Sequence, residues 1–176
     1  VSGVTIMHMA HELDAGDIIA QVSTPVSREE TAQQLYDRLA RMGGELLVQT
    51  VAAIADGTAR RTPQDPEQVT FAPMLSRELS PMDWSRPASR LHDQVRGLLP
   101  WPTASAELPN GDKVKVFTTE ETEEITQKGP GTVLRADKAG IDVACGGGTV
   151  LRITELQAPG SRRMSAADYL RGHKLI

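Results

Sequence analysis

The chain has 176 residues, 39% hydrophobic and 24% charged, with a net charge of −4, a balance that suits a globular protein with a buried core. No apolar run approaches the length of a bilayer span, so no membrane partner is expected. The lone Cys145 excludes an internal disulfide and fits a reducing, cytoplasmic setting. Charge divides unevenly: residues 1–85 hold 6 Lys/Arg against 12 Asp/Glu, or −6, and residues 86–176 hold 13 against 11, or +2. The second half is thus the one suited to a polyanion, though far less basic than a dedicated nucleic-acid binder.

The first two elements are strands. "GVTIMHM" (3–9) and "DIIAQVSTPV" (17–26) are rich in β-branched and apolar residues and read as a long-looped β-hairpin. Its tip, "HMAHELDAGD", carries His8, His11, Glu12, Asp14 and Asp17 around Gly16. Ser27-Arg28-Glu29-Glu30 has the form of a capping box. Leu35, Leu39, Met42, Leu46, Val51 and Ile54 then recur at three-four spacing, the stripe of a core-facing helix that Gly57 stops. Gly43-Gly44 within it suggests close packing or a kink.

From Thr58 to Trp84 the period breaks and prolines accumulate, giving a linker over 58–84. Its Phe71, Met74, Leu75, Met82 and Trp84 favour a segment lying along the surface of the first domain. A second helix is expected from Ser85, with Pro87 in its first turn and Ala88, Leu91, Val95 and Leu98 on its apolar face. "GLLPWPT" ends it, and Trp101 there reads as a core or interdomain plug. The remainder consists of short strands with turns at "PNGD", "DKAG" and "GGG", an acidic loop "EETEE" (120–124) and a closing helix at 165–172. Cys145, in the apolar run "IDVACGGG", reads as a small core residue. Five to six short strands with glycine corners predict a small closed barrel of the oligonucleotide-binding (OB) kind.

"SGVTIMHMAHELDAGDIIAQ", "LYDRLARMGGELL", "DWS…LHDQVRGLLPWPTA" and "SAADYLRGHKL", in this order along nearly the whole chain, resemble methionyl-tRNA formyltransferase. The resemblance implies a mixed α+β chain. Residues 1–57 would be the C-terminal remnant of a Rossmann-like catalytic domain (a β-hairpin plus a long helix), 58–84 the linker, and 85–176 the OB-like barrel. It implies formyl transfer from 10-formyltetrahydrofolate to the amino group of Met on initiator methionyl-tRNA, with no metal. Catalysis in such enzymes rests on an Asn, a His and an Asp. The first two lie in an "N-x-H-x-S-L-L-P" segment that this sequence lacks, so only Asp14 is carried over. The chain is therefore expected to be the later part of a larger enzyme, inactive alone. Its uncovered sheet edge would be open to self-association. A related formyltransferase or hydrolase acting on a nucleotide sugar or on the folate, or a non-catalytic RNA-binding module, are the alternatives.

By the same resemblance, His11, Glu12, Leu13 and Gly16 are the folate contacts. Turn chemistry alone would also place an Asp at position 14. His8 and His11 with Glu12 and Asp17 form a ligand-like set. Because His8 falls in a strand and His11 in the loop after it, no metal site is expected. The basic residues singled out for RNA are Lys113 and Lys115, which alternate along one strand and so share a side, Arg162 and Arg163 in the loop before the last helix, and Lys174.

Overall fold

A computed structural model describes residues 1–175, and the chain divides into two compact units, Val1–Met74 and Leu75–Ile176. In the first, β1 (Ser2–Met7) and β2 (Ile18–Thr24) pair antiparallel with Val4 opposite Val22 and Ile6 opposite Ala20. β1 stops at Met7, so His8 lies in the loop and not in the strand expected for it. The pleat sends Val4 and Ile6 to one side, and the helix α1 (Ala32–Ala55) packs there. On the other side Gln21 donates across the strands to the Thr5 hydroxyl at 3.0 Å.

α1 begins later than its sequence suggests. Its N-cap is Thr31, in a capping box with Gln34, whereas Ser27 and Glu30 form a turn just before it, closed by Glu30 N–H to Ser27 C=O at 3.3 Å. Both boxes satisfy the local rule, and Thr31 is the one at which the backbone turns helical. Arg38 ties the helix to the end of β2: it pairs with Glu30 at 2.6 Å, donates to the Pro25 carbonyl at 3.0 Å and contacts the Thr24 hydroxyl. A Cβ on Gly43 would lie 3.3 Å from a Val4 methyl. Close packing is therefore the role of that glycine, and the helix continues through it. Val51 and Ile54 are 56% and 49% exposed, and Thr50 and Ala53 hold the inward positions instead. The difference reflects phase: hydrophobic residues occur on two faces of α1, and periodicity alone does not say which one the hairpin covers.

The segment expected to be one linker is divided. Ile18 and Thr62 exchange backbone hydrogen bonds at 2.8 and 2.9 Å, so residues near 62 border β2. Phe71 and Met74 are almost fully exposed. Residues 75–84 belong to the second unit. Met82 N–H donates to Ser105 C=O at 2.8 Å, Met82 is buried, and Trp84 packs on the core.

The second unit holds α2 (Ala88–Gly97), β3 (Ala104–Glu107), β4 (Lys113–Glu121), β5 (Val133–Asp137), β6 (Gly140–Ala144), β7 (Val150–Gln157), β8 (Met164–Ser165) and α3 (Ala166–Leu170). α2 starts at Ala88 with Pro87 as its N-cap, three residues beyond the expected Ser85. All strand pairs are antiparallel, in the order β3-β4-β7-β6-β5, with β8 on β7. Among the described residues no pairing joins β3 to β5, so the hydrogen-bonded path is an open six-stranded sheet and not the closed barrel expected. Glu120 and Glu121 lie in β4 rather than in an acidic loop.

The core lies in this unit. Leu91 and Val95 of α2 meet Val114, Val116, Ile141, Val143, Leu151, Ile153 and Leu156 from the sheet, with Tyr169 from α3. Cys145 is buried among them, as expected. Its burial pushes the thiol up to about 11. Trp101, by contrast, is 50% exposed and plugs no core. Its apolar character did not predict its exposure.

Candidate functional site

The loop between β1 and β2, residues 8–17, is pinned at its base and open at its tip. His8 N–H donates to Asp17 C=O at 2.9 Å, closing the neck. Gly16 is buried there, because a Cβ would overlap the His8 carbonyl oxygen. Its close approach is thus to the loop's own backbone, and only glycine allows it. The Asp17 carboxylate pairs with Arg61 at 3.2 Å.

Above the neck, Asp14 adopts a left-handed backbone with φ of 56°, a conformation Asp tolerates better than most residues. Its side chain is exposed, and among the described residues its carboxylate makes no hydrogen bond or ion pair. His11, Glu12 and Leu13 are also exposed, Leu13 at 97%. An apolar side chain held so far into solvent is available for a partner surface. The structure therefore gathers Asp14, His11, Glu12 and Leu13 on one protruding tip and assigns Gly16 to the neck.

Sequence reasoning missed Gln64. Its Nε2 donates to the Asp14 carbonyl at 2.7 Å and to the Gly16 carbonyl at 2.8 Å. No motif marks it; the only signal is its place in a polar stretch whose backbone, at Thr62, borders β2.

In the second unit, Lys113 and Lys115 alternate with buried Val114 and Val116 and so share the outer side of β4. Phe117 follows on that side, and the Arg163 guanidinium lies 4.7 Å from its ring centroid. Arg163 also pairs with Glu155, and Lys113 stands 4.0 Å from Glu107. The Thr118 hydroxyl, donating at 2.6 Å, and Arg163 hold the Glu155 carboxyl below the usual carboxylate range. Arg162 and Lys174 are exposed. Lys174 adjoins His173, which stacks on Tyr169 at 4.1 Å and sits 3.8 Å from Asp112, in the turn leading to Lys113.

The family described as "Formyl transferase, C-terminal domain" matches residues 74–174, and that described as "Formyl transferase" matches residues 1–51. The chain belongs to the formyl transferase family. Among curated relatives of this formyl transferase chain, the methionyl-tRNA formyltransferase of Bacillus licheniformis is 42% identical over 171 residues, 97% of this chain and 54% of the relative. That of Bacillus subtilis is 40% identical over the same length and shares. The chain thus spans about half the length of the curated relatives it matches. Among solved structures, HypX from Aquifex aeolicus in complex with tetrahydrofolic acid superposes with a TM-score of 0.68 at 23% identity, covering 96% of this chain and 29% of that one.

Proposed function

We propose that this chain serves in a methionyl-tRNA formyltransferase, moving a formyl group from 10-formyltetrahydrofolate to the amino group of Met on initiator tRNA in the cytoplasm. The observation that carries the reading is identity near 40% to enzymes of that name over 97% of the chain. The first unit is then the end of the catalytic domain, and the second its OB-like, tRNA-holding C-terminal domain. The match to the formyl transferase family and the HypX complex with tetrahydrofolic acid support a folate donor.

In this reaction the Met amine attacks the formyl carbon, giving a tetrahedral oxyanion. The bond from that carbon to N10 then breaks, and a proton passes from the attacking amine to N10. An exposed carboxylate on a pinned loop suits the proton movement: Asp14 orients an imidazole or a water at the reacting atoms. His11, Glu12 and Leu13 supply the surface against the folate, and Gly16 keeps their loop closed. On the second unit, the outer side of β4, with Lys113, Lys115 and the neighbouring Arg163, meets RNA phosphates. Arg162 and Lys174 add further charge.

The test is formyl transfer to methionyl initiator tRNA by protein carrying this chain together with the preceding half present in its relatives. We expect turnover there, its loss in Asp14→Asn, and none from the 176-residue chain alone. Turnover with an amino sugar nucleotide but not with the tRNA would overturn the substrate. Affinity for tRNA should fall with salt, with a shallower slope in Lys113→Ala/Lys115→Ala. The 176-residue chain should also self-associate in sedimentation, since the outer edge of β1 carries no partner strand among the described residues.

A further inference from the structure

We infer that Gln64 is a positioning residue for the reaction, a clamp whose amide holds the Asp14 loop in its working shape. The inference rests on the role proposed for Asp14. It is carried by geometry: one side-chain nitrogen donates to the carbonyls of Asp14 and Gly16, at 2.7 and 2.8 Å, using both of its N–H groups. Those carbonyls flank Ala15, at the step where the chain passes from the left-handed Asp14 to the closely packed Gly16. Both bonds resist rotation of those peptide groups. Without these bonds ψ at Asp14 and φ at Ala15 can drift, and the loop tip that carries the carboxylate shifts with them.

Gln64 is itself held. Thr62 exchanges backbone hydrogen bonds with Ile18, and Arg61 pairs with Asp17 at 3.2 Å. Contacts from 61, 62 and 64 therefore fix one flank of the loop to the segment that follows α1. These bonds supply the constraint that an exposed ten-residue loop with no buried apolar side chain among its described residues otherwise lacks. Hydrogen bonds do what packing does elsewhere in the chain. Nothing else among the described residues donates to either carbonyl.

Gln64 does not act on substrate, so its loss should lower kcat and leave KM for tRNA unchanged. A misplacement of about 1 Å at a reacting group can cost up to about a hundredfold, and for Gln64→Glu, which keeps the shape and removes both donors, we expect kcat to fall at least about tenfold. The measurement uses the full-length protein, comparing Gln64→Glu, Gln64→Ala and Asp14→Asn. It reads kcat and KM, the melting temperature, and amide hydrogen exchange in the loop at His8, whose N–H closes the neck. The expected result is an inactive Asp14→Asn, both Gln64 variants slow in kcat with unchanged melting temperature, and faster exchange confined to the loop. An inactive Asp14→Asn beside Gln64 variants with wild-type kcat would overturn the clamp and leave the site standing. So would exchange unchanged in the loop. Wild-type kcat in Asp14→Asn would overturn the assignment of the site, and with it any positioning role for Gln64.

Discussion

Gly16 shows how a single missing side chain sets the loop between β1 and β2. Its absent Cβ lets the neck close onto the His8 carbonyl, so Gly16→Ala must open the neck or shift β2. We expect it to slow formyl transfer by about tenfold or more through displacement of Asp14, read as kcat in the full-length protein; unaltered kcat would show that the neck is slack. Cys145 makes the opposite point. Burial raises its thiol to about 11, and at pH 8 only about 0.1% would be thiolate. A thiol reagent should therefore label the native chain about a hundredfold more slowly than a free cysteine, and at the ordinary rate in denaturant. The proposal for Asp14 could be made from the sequence because its neighbours carry a family pattern. Gln64 was not, since a side-chain amide reaching 50 residues back leaves no periodic or compositional trace.

At the scale of elements, strands and helices appear close to where pattern places them, and the differences fall at their ends. Two capping boxes follow each other before α1, and local chemistry cannot choose between them. The acidic run 120–124 enters β4 because Glu120 and Glu121 pair with Arg152 and Leu151 of β7. Nearby, Thr118 of β4 and Arg163 of the loop before β8 lower the pKa of Glu155 on β7. The sign follows: a carboxyl with a lowered folded value contributes stability above its ordinary value of 4.5, lost as pH falls through the lowered one. The pair is half exposed, so the loss should stay below about 1 kcal/mol. It should appear as a fall in the urea midpoint on acidification that Glu155→Gln lacks.

At the scale of the molecule, core and site separate. Among the described residues every buried hydrophobic side chain lies from Met82 onward, while the loop that carries Asp14 belongs to the unit before it. The stretch between them exposes Phe71 at 91% and Met74 at 94%. Chymotrypsin should cut first at Phe71, release a resistant second unit and degrade the first. A first cut after Tyr169, which is buried and bonded to Asp112 at 2.6 Å, would contradict this division of stability.

The sequence by itself determined which segments are helix or strand, and which half of the chain carries the acidic excess and which the basic one. These are local or additive properties, and each is written in consecutive residues. The tertiary structure alone decided which face of α1 is covered, that residues 75–84 complete the second unit, that the sheet path is open, and that Gln64 grips the loop. Each of those depends on residues far apart in the chain meeting in space, where packing and hydrogen-bond geometry, and not local preference, set the outcome.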